Sequence, residues 1–493
     1  MSDTARFITV DLGAESGRTI AATLAQGKIG LEVMHRFPNE PQRILGRFHW
    51  DTIRLFAEIK RGLALCAKQY GSEFDGIGVD TWGVDFALLD RNDDLLGLPY
   101  HYRDSRTEGM MEEVFKIVPR SAVYRTTGIQ FMVLNSLYQL MALKRSGSPA
   151  LDKARAFLMT PDLLNYWLSG EKANEFSNAT TTQCFDPNAG DWARPMLETL
   201  GIPTGFLGSI VQPGATLGPL HASVRGETSL GAVPVIAPAT HDTGSAVAAV
   251  PAEGDRGWAY ISCGTWSLVG LETPKPVITD QTLEYNLTNE GGVYGTYRLL
   301  RNVMGLWLLQ QCRRSWEKAG HSYGYDELTA MSTRATPFAA TVDPDDPLFL
   351  NPTDMPEAIR QYCARTGQAP PADVAGMVRC IVESLALKYR WVIRRLEKVS
   401  GERIHTVHII GGGGQNALLC QATADACACR VLAGPTEATA LGNALVQAIA
   451  AGKLGSLADA RAMVARSFPL VEYTPQTPGA WDQCAARFDE RLV

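Results

Sequence analysis

At 493 residues the chain is too long for one ordinary hydrophobic core, so two or three domains are expected. A balance of 45% hydrophobic to 20% charged residues excludes a disordered polymer. The formal charge of −6, with both signs interspersed, excludes a general pull toward nucleic acid or an anionic membrane surface.

No run approaches the roughly 20 apolar residues of a membrane helix. The opening residues lack the basic-then-apolar pattern of a secretory leader, so a cytoplasmic protein is expected. The ten cysteines include no CxxC pair, and reduced, buried thiols are the expectation. Cys363 and Cys380, which flank a Pro-containing loop, could pair under oxidation.

In chain order, β-branched runs alternate with longer helical patterns, which argues for an α/β architecture. Strands are predicted at Phe7–Leu12, Gly76–Thr81, Val233–Ala237, Trp258–Ser262, Val407–Ile410 and Arg430–Ala433. Helices are predicted at Asp51–Tyr70, Asn302–Glu317, Ala372–Val399 and Asn416–Ala428. In the third of these, Val378, Ile381, Leu385, Tyr389, Val392 and Leu396 recur at helical spacing. Residues 8–22 and 259–270 share one plan, a strand, a tight polar turn and a second strand. Two halves that open alike suggest a duplicated domain, with a boundary near 246–257 that serves as a hinge or as an ordinary surface loop.

Several turns carry chemistry. In the first, Asp11 to Arg18, small residues let backbone N–H groups approach an anion, Ser16 adds a hydroxyl and Arg18 a positive fork. Asp11 at the strand end suits a hydrated Mg²⁺; a plain solvated hairpin is the alternative. The spacing is not that of a Walker A loop. Ser262–Ser267 offers a similar turn in the second half. Ile409–Asn416, with four successive glycines, follows a strand and opens a helix, a place for close backbone approach to a ligand. Its loose match to a dinucleotide fingerprint lacks the downstream acid, so adenine or ribose contact is preferred. His241-Asp242-Thr243 stands at a strand end, where Asp242 could take a proton from a sugar hydroxyl; a helix cap is the alternative. Trp82 with Asp80, Asp85 and the following Tyr102-Arg-Asp-Ser-Arg-Thr107 suits a polyol, or a buried structural tryptophan.

Taken together, Val10–Arg18, Gly78–Phe86, Tyr102–Thr107, Gly128–Phe131, Leu137–Leu140, Asn178–Gln183, His241–Thr243, Ser262–Ser267, Asn286–Gly292, Asn302–Gln310 and Gly411–Asn416 resemble, in order, the FGGY carbohydrate kinases. The likeness is greatest to the rhamnulokinases among them. It implies an α/β fold of two actin-like (ribonuclease H-like) domains with a central catalytic cleft. Residues 1–250 would bind sugar and carry the first phosphate turn and the catalytic aspartate, and residues 251–493 would bind nucleotide.

The resemblance makes Asp242 the catalytic base and sets Gly83, His241, Thr243, Asn302 and Trp82 at the sugar. It sets Ala14, Glu15, Ser16, Gly17, Arg18, Thr265, Gln310 and Gly412 at the nucleotide and Asp11 at Mg²⁺. Glu15 departs from the small hydroxyl residue expected in a phosphate turn, so it either points outward or reaches Mg²⁺. The implied reaction is ATP-dependent phosphorylation of L-rhamnulose at its C1 hydroxyl, with another ketose or polyol such as L-fuculose or xylulose as the alternative. The implied partners are ATP and a small sugar, with no nucleic acid or membrane, in a monomer or homodimer.

Overall fold

The computed structural model describes residues 4–254 and 256–492. The chain forms two compact units. The first comprises Met1–Pro251, Glu272–Leu299 and Ala438–Ser467, and the second Ala252–Leu271, Leu300–Glu437 and Phe468–Val493. Two segments from the later half of the sequence thus belong to the first unit. The expected boundary segment near 246–257 contains the first crossover, and its Asp255 lies outside the described residues.

The first unit is built on β1 (Ala5–Leu12), β2 (Ser16–Ala25), β3 (Lys28–Pro38), β4 (Gly76–Thr81), β5 (Thr216–Pro219) and β6 (Pro234–Ile236). They form one sheet in the order β5-β6-β4-β1-β2-β3. β1 is antiparallel to β2 across the first turn, parallel to β4, and β4 is parallel to β6. Helices cover both faces of β1, so every residue in it but Arg6 is buried, Thr9 and Asp11 included. Pro234 takes the first position of β6, where a missing N–H is tolerated.

On one face, helix Thr52–Tyr70 is capped by Asp51, whose side chain accepts from Arg54 N at 3.0 Å. It buries Leu55, Ile59, Leu63 and Cys66 at helical spacing. On the other, helix Ala438–Ala450 reaches the sheet backbone through two amides one turn apart: Asn443 donates to Gly78 O at 3.2 Å and Gln447 to Ile8 O at 3.1 Å. This approach is possible because β4 has glycine at 78, where a Cβ would lie 2.8 Å from Asn443 Oδ1.

The second unit repeats the plan. β7 (Trp258–Cys263), β8 (Trp266–Thr273), β9 (Tyr297–Met304), β10 (Thr406–Ile410), β11 (Arg430–Ala433) and β12 (Val471–Tyr473) run in the order β9-β8-β7-β10-β11-β12. β7 and β8 form the antiparallel hairpin, and β7, β10 and β11 are parallel. Helix Val374–Ser400 buries the six residues that its periodicity singled out.

One predicted element differs. Asn302 lies in β9, and the helix begins only at Trp307. The chain is held against β8 as far as Gly305, where a Cβ would come within 2.8 Å of Ser267 N. Leu306 N then donates to Gly264 O at 2.9 Å and Trp307 N to Thr265 O at 3.2 Å, so the second turn fixes the helix start. All ten cysteines, Cys363 and Cys380 included, are buried free thiols. Among the described residues no helix is long and apolar enough to cross a membrane.

The tightest helix contact in the first unit is at Gly442, where a Cβ would stand 1.7 Å from Ser245 O. Backbone cannot yield as a side-chain tip can, so Gly442→Ala should cost about 2–3 kcal/mol in urea unfolding. Gly226→Ala, in helix Ala222–Thr228 with open space around it, should be neutral or stabilising by up to ~1 kcal/mol.

Candidate active site

Parallel register places Asp11 directly beside Asp80, each next to last in its strand. This is the carboxyl edge of the sheet, where open α/β folds bind ligands. The side chain of Asp11 is 3% exposed, and Asp80 is wholly buried. Arg18 stands opposite Asp11 across the hairpin, its Nη2 3.1 Å from Asp11 Oδ2. Asp80 Oδ2 accepts from Asn443 at 2.5 Å, while its Oδ1 is buried with no hydrogen-bond partner. Burial, and after it the charge of Asp11, holds the Asp80 carboxyl well above the usual range; Asp242 adds to this and Asn443 opposes it.

Asp242 arrives at the same edge by a turn with its own anchor. Thr81 N donates to Thr240 O at 2.9 Å, which extends the β4 ladder to the segment after β6. Glu175, wholly buried, accepts from Thr240 N and Oγ1 at 2.8 Å each and from Ser177 Oγ at 2.5 Å. Burial raises its carboxyl, and these bonds work against that rise. Ser177 Oγ in turn accepts from His241 N at 3.1 Å. Asp242 opens helix Asp242–Ala248, and its Oδ1 accepts from Thr243 N at 2.5 Å and Thr243 Oγ1 at 3.1 Å. His241 Nε2 lies 3.5 Å from that same Oδ1. Its Nδ1 is 3.0 Å from Arg298 Nη2 and 3.3 Å from Glu290 Oε2.

The Trp82-Gly83 turn is tied to this segment by Asn178, whose amide reaches both Trp82 O and Thr240 O at 3.3 Å. Gly83 is required there, since a Cβ would meet the Thr181 side chain at 2.9 Å. Trp82 is itself only 6% exposed and packs on Trp50 at 4.0 Å between ring centroids. Both indoles donate to Asp85 Oδ2, at 2.6 Å from Trp50 and 3.0 Å from Trp82, with Tyr102 N at 3.1 Å. Burial pushes Asp85 up to about 6, although the bonds from Trp50, Gln139 and Trp82 pull it down.

In the first turn Ala14, Glu15 and Ser16 are half-buried, and Asn39 braces the loop by donating to Glu15 O at 2.9 Å and Gly13 O at 2.8 Å. Gly17 lies inside β2, where its missing side chain makes room for the Phe37 ring.

Thr265, Gln310, Gly412 and Asn302 belong to the second unit. Thr265 O receives Gly305 N and Trp307 N, Asn302 lies in β9, and Gln310 carries a buried Oε1 with no hydrogen-bond partner. Among the four glycines, Gly413 is pressed onto Cys263, whereas Gly412 is exposed with open space where a side chain would be.

These donors fit the groups that the sequence implied. Mg²⁺ uses one or two carboxylates with waters and phosphate oxygens, not an all-protein cage. Asp11 and Asp80 supply such a sparse set, with one oxygen left over, and among the described residues no larger His/Cys/Asp/Glu group stands ready for a metal. The open Gly412 and the spare Gln310 oxygen suit a nucleoside.

The sequence set Asp80 with Trp82 at a polyol and not beside Asp11; the signal for the pair was an aspartate next to last in each of two strands. Glu175 and Arg298 left no signal, because each is a buried charge that meets a partner more than 50 residues away, Thr240 for Glu175 and His241 for Arg298.

Asp85 gives a pH test. Its carboxyl is raised in the folded state, so the fold retains a proton that the unfolded chain has lost, and stability falls as pH rises through that window. Between pH 5 and 7 the parent should lose about 1 kcal/mol relative to Asp85→Asn in urea unfolding.

The N-terminal domain of the FGGY family of carbohydrate kinases matches residues 6–249, and the C-terminal domain matches 259–451. A rhamnulokinase of Bacteroides thetaiotaomicron is 47% identical over 482 residues, 98% of each chain. One of Oceanobacillus iheyensis is 42% identical, over 95% of this chain and 98% of its own. Among solved structures, xylulose kinase from Lactobacillus acidophilus superposes with a TM-score of 0.81 at 14% identity, over 99% of this chain and 97% of that one. Plasmodium falciparum glycerol kinase with ADP gives 0.76 at 15% identity, over 99% and 98%. At such identities these structures speak for the two-domain fold alone. The domain matches and the curated relatives say more: the chain belongs to the FGGY family of carbohydrate kinases, phosphotransferases that act on a sugar hydroxyl.

Proposed function

We propose that this kinase transfers the γ-phosphoryl group of ATP to the C1 hydroxyl of L-rhamnulose, with Asp242 as general base. Relatives named rhamnulokinase, 38–47% identical over almost the whole chain, support the sugar. One observation carries the chemistry. Of the three carboxylates at the sheet edge, Asp242 is the one that reaches solvent, its side chain 29% exposed against 3% for Asp11 and none for Asp80.

A sugar hydroxyl is a weak nucleophile until its proton has an acceptor. Asp242 is held for that task by Thr243, which fixes Oδ1 and leaves Oδ2 to the substrate. As the new O–P bond forms, the hydroxyl proton passes to Asp242 and ADP departs with the electrons of the broken P–O bond. Mg²⁺, when bound, neutralises charge on the transferring group. Asp11 and Asp80 would hold it, and Arg18 fixes the orientation of Asp11. The backbone of Ala14 to Arg18 in the first unit, and Thr265, Gln310 and Gly412 in the second, are assigned to the nucleotide. Gly83, His241, Thr243 and Asn302 are assigned to the sugar, and the Trp82 edge bounds its pocket. A cytoplasmic location follows from this reading.

Turnover of a ketose panel with ATP and Mg²⁺ tests the substrate: selective use of L-rhamnulose is expected, and preference for L-fuculose or xylulose would move the specificity. Asp242→Asn retains the acceptor oxygen for Thr243 and should fold normally. It should bind sugar within a few-fold of the parent by calorimetry, with kcat lowered about 10²–10⁴-fold. Parent-like turnover in this variant would end the base assignment.

A further inference from the structure

The Asp242 reading leaves unexplained a fully buried arginine behind the adjacent histidine. Arg298 has no exposed surface; its Nε donates to Gly291 O at 2.9 Å, and its Nη2 lies 3.2 Å from Glu290 Oε2 and 3.0 Å from His241 Nδ1. Its Nη1 is already buried without a hydrogen-bond partner.

A guanidinium has only donors and does not lose its proton in a protein. Facing one, an imidazole nitrogen is favoured as an acceptor, so Nδ1 presents its lone pair and the ring proton resides on Nε2. Glu290 Oε2, 3.3 Å from the same Nδ1, would favour the opposite tautomer. That alternative sets an N–H of His241 against an N–H of Arg298 and leaves a second donor of the buried guanidinium without an acceptor. A buried donor left unpaired costs more than a normal hydrogen bond contributes. Glu290 instead balances the charge of Arg298, which makes a buried cation tolerable there.

We propose that Arg298, neutralised by Glu290, is a positioning residue that locks His241 in the Nε2–H tautomer. The Nε2–H then faces the reacting side, 3.5 Å from Asp242 Oδ1, where it can donate to the base or to a sugar oxygen. The fixed tautomer keeps His241 from competing as a proton acceptor and leaves Asp242 alone in that role. This inference rests on the proposed reading of Asp242 and His241, and it is tested by a signal that does not need turnover.

Selective ¹⁵N labelling of histidine, with the His241 resonances assigned by their loss in His241→Asn, reports the protonated nitrogen directly. The parent should show protonated Nε2 and bare Nδ1; a protonated Nδ1 would overturn the proposal whatever the variants do. Arg298→Met combined with Glu290→Gln removes the donor without leaving a buried charge and should release the tautomer. It should also lower kcat roughly 10- to 100-fold, with the KM for ATP unchanged. Arg298→Lys, which keeps a cationic donor, should recover part of both. An unchanged Nε2–H signal in a folded double variant would show that Arg298 does not set the tautomer. A released tautomer with parent-like kcat would refute the positioning role. If Asp242→Asn turned over like the parent while the tautomer still followed Arg298, the fault would lie in the base assignment and not in the lock.

Discussion

Two aspartates side by side at the end of two buried parallel strands set the terms for much of the first unit. The register of β1 and β4 leaves Asp11 and Asp80 no way to separate, because strands in a sheet lie only about 4.8 Å apart. Two full charges about 5 Å apart repel by about 3 kcal/mol at an effective dielectric near 20, before the cost of burial is added. The fold meets this in three ways: Arg18 against Asp11, the Asn443 amide on Asp80, and a raised Asp80 carboxyl. A divalent cation would relieve what remains. The crowding that makes the edge unfavourable in the bare protein is thus what suits it to a charged ligand.

The supports behind that edge share one feature: a buried charge that ties together polar groups from more than one segment of the chain. Glu175 gathers Ser177 and Thr240, Asp85 gathers Trp50, Trp82, Tyr102 and Gln139, and Arg298 gathers Gly291, Glu290 and His241. Each fixes backbone or ring orientation where apolar packing alone would leave freedom. A carboxylate with several converging donors tolerates little displacement of any of them, and such rigidity serves a reaction that depends on in-line geometry. The exposed part of the group is small: Asp242 carries most of the reachable charge, and the rest stays behind it.

The two units repeat one plan, a hairpin followed by parallel strands, and each uses its hairpin turn differently. In the first, Asn39 braces the turn from outside. In the second, the carbonyls of Gly264 and Thr265 receive the N–H groups that open helix Trp307–Lys318, so turn and helix are one piece. Beneath it Tyr389 bonds Ser267 at 2.7 Å, and Gly413 rests on Cys263, which joins the glycine-rich loop to the same turn.

The sequence by itself determined the strands around which both sheets are built, the six-residue stripe of helix Val374–Ser400, the matching hairpins, and the Asp11, Asp242 and glycine positions at turns. Those features follow from local periodicity and turn chemistry, which neighbouring residues fix among themselves. It misplaced the start of helix Trp307–Lys318 because strand pairing through Met304 overrides a helical pattern. It gave no sign of Glu175, Glu290 and Arg298 as supports, and none that Asp80 would stand beside Asp11. The tertiary structure decided those, since a buried charge is placed by partners 50 or more residues away, such as Arg298 by His241, and no local spacing encodes that meeting.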